Sequence, residues 1–274
     1  THYDIVLIKY NSAGSEMWVA RYDGGKNDYD GIAGMDIDLL GNIYVTGRSR
    51  ISYYYDFITI KYDSQGNIIW ERRYDGPAHL ADNPVDLAVD HLGSIYVGGE
   101  GTGLDSIQDL LTIKYNSQGD SIWTRRYRMT DTLPCIVRDI EIDSFDNIYV
   151  AGNCYPGYSV VKYTTEGEIL WSKCYGGNNT SIAYSAINAS DGGYAIAGFT
   201  YASDGDVIGA HGNADCWVIK INSTGDLEWQ ISIGGTGFDS AEDIIQNADG
   251  SYILVGRSTS DDGDFSDHNG STSE

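Results

Sequence analysis

An all-β propeller of four-stranded antiparallel blades is the fold the sequence predicts, and three observations predict it. One strand-and-turn phrase occurs five times, as DIVLIKYNSAG (4–14), DFITIKYDSQG (56–66), DLLTIKYNSQG (109–119), YSVVKYTTEG (158–167) and DCWVIKINSTG (215–225). Four residues after each turn glycine stands a tryptophan: Trp18, Trp70, Trp123, Trp171 and Trp229. A second hairpin phrase also recurs, as MDIDLLGNIYVTG (35–47), LAVDHLGSIYVGG (87–99), IEIDSFDNIYVAG (140–152), AINASDGGYAIAG (186–198) and IIQNADGSYILVG (244–256). The phrase lysines Lys9, Lys61, Lys114, Lys162 and Lys220 are 52, 53, 48 and 58 residues apart, a period that marks stacked supersecondary units.

In chain order, residues 4–22 hold only the IKY strand and the tryptophan strand of one repeat. The next four units each start with the second hairpin phrase and end with the tryptophan strand, giving blades at about 31–75, 82–128, 136–175 and 182–234. Residues 241–257 hold only the first hairpin of a unit. Pairing that hairpin with residues 4–22 makes a split fifth blade closed by the N- and C-terminal strands, which leaves no open sheet edge. In that closed ring residues 260–274 are a tail or linker; because the tail SDDGDFSDHNG (260–270) echoes SDGDVIGAHGN (203–213), the alternative is a piece cut from a six- to eight-bladed ring. Within a strand, alternation puts Ile58, Ile60 and Tyr62 on one sheet face and Phe57 and Thr59 on the other, so both faces can pack. Short turns within blades (LLGN, HLGS, NSAG, DSQG) fall on one face, and the longer, variable connections on the other.

The phrases IKYDSQGNIIW and DIDLLGNIYVTG resemble the SBBP repeats of bacterial β-propeller proteins. The stretch GGYAIAGFTYASDGDVIGAHGNADCWVIKINSTGDLEWQ resembles the variant found in secreted proteins of Bacteroidetes type. The likeness covers nearly the whole chain and implies a propeller in an exported or surface multidomain protein. It implies no catalytic constellation. The Gly-x-x-x-Trp step also resembles the tryptophan-docking repeats of quinone-dependent propellers, which speaks to blade packing rather than to a cofactor.

The chain carries 17 Lys+Arg against 40 Asp+Glu, a net charge of −23, which excludes a phosphate-backbone binder and opposes an anionic membrane surface. No stretch approaches the ~20 apolar residues that span a bilayer. A start at Thr1 and the polar string GDFSDHNGSTSE at the other end suggest a processed or excised segment. Cys135, Cys154, Cys174 and Cys216 lack metal-ligand spacing; they read as half-buried free thiols, with one disulfide such as Cys154–Cys174 as the alternative.

Candidate chemistry lies on the variable-loop face, since binding residues favour loops on a rigid scaffold. Tyr53, Tyr54 and Tyr55 offer flat rings with polar tips for a sugar or a protein. Asp204, Asp206, Asp261, Asp262 and Asp264 lie around flexible glycines, as do Asp23, Asp28 and Asp30; such clusters suit Ca²⁺, although solvated turn carboxylates capping their own backbone are the preferred reading. Asp86, Asp139 and Asp243, near the starts of inner strands, could line a central funnel, where a glycosidase needs two carboxylates ~5 to 9.5 Å apart. His211 stands in the longest loop; none of the histidines is in a catalytic motif. The expectation is therefore a non-enzymatic binding or scaffold module for protein or glycan, secreted or at the cell surface, monomeric or one module of a larger chain. The alternative is a polysaccharide-active hydrolase or quinoprotein-like enzyme.

Overall fold

The computed structural model describes residues 3–25, 29–50, 53–130 and 133–266. Twenty strands account for nearly all regular structure, followed by one short 3₁₀ turn, Gly263–Phe265. Four sheets have four antiparallel strands each: β3 (Gly31–Ile37) to β6 (Ile68–Tyr74), β7 (Asn83–Val89) to β10 (Ser121–Tyr127), β11 (Cys135–Ile142) to β14 (Ile169–Tyr175), and β15 (Ser181–Asn188) to β18 (Leu227–Ile233). In each, strand order follows chain order, as in a propeller blade. The chain divides into two compact units, residues 1–142 with 165–167, and residues 143–164 with 168–274.

Among the described residues the two hairpins of the expected split fifth blade are separate two-stranded sheets. The hairpin β1 (Ile5–Tyr10) and β2 (Glu16–Tyr22) is a two-stranded sheet, and β19 (Asp239–Gln246) with β20 (Tyr252–Ser258) is another. Each hairpin packs instead on the sheet next to it in sequence. Ile5, Leu7 and Tyr22 share a core cluster with Val45, Ile58 and Ile60, and Ala241 and Ile244 share one with Ala195, Ala197 and Val218. Repeat architectures permit this because each unit depends on its nearest neighbour rather than on closure.

The repeated letters correspond to repeated local chemistry. In the tight turns an Asp or Asn side chain accepts backbone N–H groups two and four residues on, as Asp38 does from Leu40 and Asn42, Asp90 from Leu92 and Ser94, and Asn222 from Thr224 and Asp226. The turn glycines have φ near +80°, a conformation that costs glycine nothing. They have a second role. A Cβ on Gly66 would come within 2.9 Å of the Trp18 ring, and one on Gly119 within 2.8 Å of Trp70.

Four of the five repeat tryptophans thus rest on the turn of the following repeat and donate their indole N–H to that turn's carbonyl: Trp18 to Ser64 (3.2 Å), Trp70 to Ser117 (3.2 Å), Trp123 to Thr165 (3.0 Å) and Trp171 to Ser223 (3.1 Å). Lys9, Lys61 and Lys114 donate to the same three carbonyls as the first three indoles. The tryptophans are therefore packing elements, as the repeat pattern implied. Trp229 packs against Tyr252 at 5.5 Å between ring centres.

Cys135 and Cys154 are disulfide-bonded, whereas Cys174 and Cys216 are free thiols. The reading as half-buried free thiols holds for Cys174 and Cys216 and fails for Cys135 and Cys154, and the Cys154–Cys174 pairing given as the alternative does not form. Cys154 on β12 (Ile148–Cys154) and Cys174 on β14 flank the intervening strand β13 (Gly157–Tyr163), and two inter-strand spacings of ~4.8 Å exceed disulfide reach.

Candidate functional site

In the first unit, β4 (Ile43–Arg50) and β5 (Tyr55–Tyr62) carry a cluster of rings and guanidinium groups. Arg48 and Arg50 are two apart and so share a sheet face. The Arg48 guanidinium lies 5.0 Å from the centre of the Tyr29 ring and 5.4 Å from that of Tyr55, and Arg50 lies 5.9 Å from Tyr55. Tyr29 meets Tyr3 and Tyr55 edge-on at 5.3 and 5.9 Å. Gly31 makes room for this packing, since a Cβ there would come within 2.8 Å of the Tyr29 ring. Beside the cluster, Tyr53 is 85% exposed, and Tyr54 lines a cavity of about 500 Å³ together with Leu80, Thr102, Gln108 and Pro134.

The tyrosine triplet was legible in the sequence, but its partners were not. Tyr3, Tyr29, Arg48 and Arg50 come from three separate segments, and the only local hint was the alternation in GRSR (47–50).

The inner-strand acids share a backbone irregularity. The first strand of a repeat shifts register at Ile32/Gly34, Pro84/Asp86, Ala183/Ser185 and Ala241/Asp243. A β-bulge re-aims the residue that follows it. Successive bulge positions touch: a Cβ on Gly34 would approach the Asp86 Cα to 2.9 Å, and the Ser185 hydroxyl donates to Asp243 at 2.8 Å. Burial, with the nearby Asp36 charge adding to it, pushes the Asp86 carboxyl up to about 6 despite a hydrogen bond from the Leu87 N–H. Asp139 occupies the corresponding place on β11.

In the SDGD loop and its echo, weighed as calcium ligands, carboxylates accept backbone N–H groups. Asp204 accepts the Asn178 N–H (2.8 Å) and Asp206 the Gly176 N–H (3.0 Å). The echo repeats this geometry, with Asp262 on the Thr236 N–H (2.8 Å) and Asp264 on the Gly234 N–H (2.9 Å). Asp261 precedes this second latch. His211 lines a cavity of about 270 Å³ with Tyr201, Ser203 and Asn213, and its Nδ1 lies 3.5 Å from Asp215 and 3.9 Å from Asp264. Asp215 is fully buried, which raises its carboxyl pKa.

Two carboxylate clusters have metal-compatible spacing among the described residues, Asp4/Asp23/Asp30, which holds two of the acids weighed in the sequence, and Asp56/Asp75/Asp82, each with three oxygens within 4.8 Å of one another. They occupy equivalent repeat positions. In the third repeat the place of Asp75 is taken by Arg128, which pairs with Asp109 at 2.5 Å and Asp105 at 2.6 Å. Burial first, then the Asp75 and Asp82 charges, push Asp56 up to about 6, with Arg73 opposing. Asp28, grouped with Asp23 and Asp30 in the sequence, lies outside the described residues.

No protein-family model matches the chain. A regulatory protein from Caulobacter vibrioides, FlaEY, is 29% identical over 110 residues, 38% of this chain and 12% of that protein's length. Among solved structures, a protein from Lactobacillus plantarum matches with a TM-score of 0.53 at 12% identity over 90% of this chain and 76% of its own. A protein of unknown function from Dyadobacter fermentans gives 0.52 at 7% identity, over 92% and 82%. A proposed exo-β-1,3-galactanase from Bifidobacterium bifidum gives 0.47 at 9% identity, over 92% and 86%. At such identities the likeness is one of fold, a β-propeller-like all-β arrangement.

Proposed function

We propose that this protein is a recognition module whose ligand is a glycan, taken up by the tyrosine-rich face of the first unit. The observation that carries this reading is that Tyr54, in the wall of a roughly 500 Å³ cavity, stands in the chain between the exposed Tyr53 and Tyr55, whose ring meets the Arg48 and Arg50 guanidinium groups. Flat rings stack on sugar faces while their hydroxyls and neighbouring guanidinium groups take up polar substituents. Clustered cations in a chain of charge −23 favour a glycan that bears carboxylates. Calorimetric titration with polygalacturonate, alginate and neutral galactan oligosaccharides tests the reading. Binding of an acidic glycan that weakens at least tenfold in both Tyr54→Ala and Arg48→Ala supports it, and no binding, or binding indifferent to both substitutions, removes it.

A second reading, a glycan-active hydrolase, is favoured by one observation: a desolvated carboxyl at Asp86 with its pKa pushed up to about 6, the property a general acid needs. Release of reducing ends from the same panel, lost in Asp86→Asn, would select it. The five-fold IKY and hairpin phrases support membership of the SBBP repeat proteins, and with it an exported or surface location.

A further inference from the structure

One place recurs in each repeat, where the IKY strand begins, the tryptophan strand ends and the next sheet starts. In the third repeat it brings the Arg128 guanidinium onto Asp109, and in the fourth and fifth the Gly176 and Gly234 N–H groups donate there to Asp206 and Asp264. The first and second repeats put three carboxylates at the same positions, Asp4/Asp23/Asp30 and Asp56/Asp75/Asp82, with three oxygens of each trio within 4.8 Å of one another. In the second trio two members already have partners: Asp82 accepts the Gly76 N–H (2.6 Å) and the Thr102 N–H (2.9 Å), and Asp75 meets His79 Nδ1 at 2.7 Å.

The first trio has beside it a further oxygen that nothing in the fold uses. Ser49, near the end of β4, is fully buried, and its hydroxyl has no hydrogen-bond partner. That hydroxyl is aimed at Asp30: a Cβ on Gly24 would collide with both the Ser49 Oγ and the Asp30 Oδ1, so the two oxygens converge on the space that the glycine leaves. The other oxygen of the buried Asp30 accepts the Gly24 N–H at 2.7 Å. In the second repeat Gly101 stands at the Ser49 position, and a Cβ there would come within 2.9 Å of the Arg126 guanidinium. A buried hydroxyl without a partner is costly, and it marks a place where a further group belongs. Arg21 pairs with Asp4, and Arg73 donates to the Tyr22 hydroxyl (2.9 Å) and the Gly24 carbonyl (3.3 Å), so two guanidinium groups face three carboxylates and the place stays acidic. Asp23 is exposed and opens it to solvent.

We propose that this place is a Ca²⁺ site, in which Asp4, Asp23 and Asp30 each give one carboxylate oxygen, the Ser49 hydroxyl gives a fourth ligand, and water completes the shell. Every donor is a hard oxygen, which suits Ca²⁺ and not the softer Zn²⁺ or Cu²⁺. Oxygens on opposite sides of one Ca²⁺ are about 4.6–5.2 Å apart, so carboxylates already within 4.8 Å of one another need little movement to close on it. The ion joins four segments of the first unit, since Asp4 precedes β1, Asp23 follows β2, Asp30 precedes β3 and Ser49 lies on β4. It supplies the positive charge that Arg128 brings to the third repeat.

The test is calorimetric titration of chelator-treated protein with CaCl₂ in about 0.15 M KCl, which screens diffuse attraction to a chain of charge −23. Wild type should bind saturably with a Kd of about 10⁻⁴–10⁻³ M and should melt at a higher temperature once calcium is bound. Asp30→Asn, with folding checked by circular dichroism, should weaken binding at least tenfold. Ser49→Ala removes only an unpaired hydroxyl, so without calcium it should melt no lower than wild type, yet it should bind calcium at least threefold more weakly; a merely structural serine would move the melting temperature and leave the affinity alone. Asp204→Asn should bind as wild type does, which separates this place from the SDGD loop. Two results would overturn the proposal: no saturable binding up to about 10 mM calcium, tenfold above that range, or an affinity that either Asp30→Asn or Ser49→Ala leaves unchanged.

Discussion

Replacing Asp86 by asparagine should stabilise the folded protein at pH 7 and leave it nearly unchanged at pH 4. The carboxyl is raised from 3.8 to about 6, first by burial and then by the Asp36 charge. The sign follows from proton binding: between pH 4 and 6 the folded chain holds a proton that the unfolded chain has released, so stability falls as pH rises through this window and stays low above it. Two units correspond to roughly 3 kcal/mol at about 1.4 kcal/mol per unit. Asparagine keeps an oxygen for the Leu87 N–H and carries no charge to desolvate. Urea unfolding followed by tryptophan fluorescence at pH 4, 5, 6 and 7 should show the variant gaining on wild type by about 2–3 kcal/mol between the lowest and highest pH. Wild type keeps a slope of its own sign from Asp56, which is raised into the same range. A variant no more stable than wild type at pH 7, or a gap that does not change with pH, would refute the reasoning.

Trp70→Ala should cost about 3–5 kcal/mol, since it removes a buried ring and the hydrogen bond to Ser117, whereas Trp229→Ala should cost about 1 kcal/mol because that ring is 38% exposed; chemical denaturation of the pair reads the difference. Gly205→Ala should lower the melting temperature by several degrees, because φ is +66° and a Cβ there would come within 2.9 Å of the Gly177 Cα. Gly209→Ala, with a similar φ of +85° but open space around it, should do so less, and scanning calorimetry compares them. Calcium titration of the wild type should leave the Asp204 and Asp262 latches unaltered, because their oxygens already accept backbone N–H groups; a stability gain lost in Asp204→Asn would show otherwise.

Strand phase, turn chemistry and the tryptophan positions were all readable because each is a local property repeated five times. Predicted blades at 31–75 and 182–234 match sheets ending at Tyr74 and Ile233 to within a residue or two. Asp86, Asp139 and Asp243 looked alike as letters, since nothing in a bulge position says how much water it keeps. The backbone contacts of the SDGD loops were hidden for the same reason: the Gly176 and Gly234 amides that donate to Asp206 and Asp264 lie 30 residues away in sequence.

By itself, then, the sequence determined the repeating unit, because hydrogen bonds between neighbours two to four residues apart and a two-residue strand period depend only on local order. Tertiary structure alone decided which cysteines are oxidised, that Tyr3, Tyr29 and Arg48 converge on Tyr55, and that Asp86 is desolvated. Those outcomes depend on distances and burial through space, which packing sets among residues that the chain order keeps far apart.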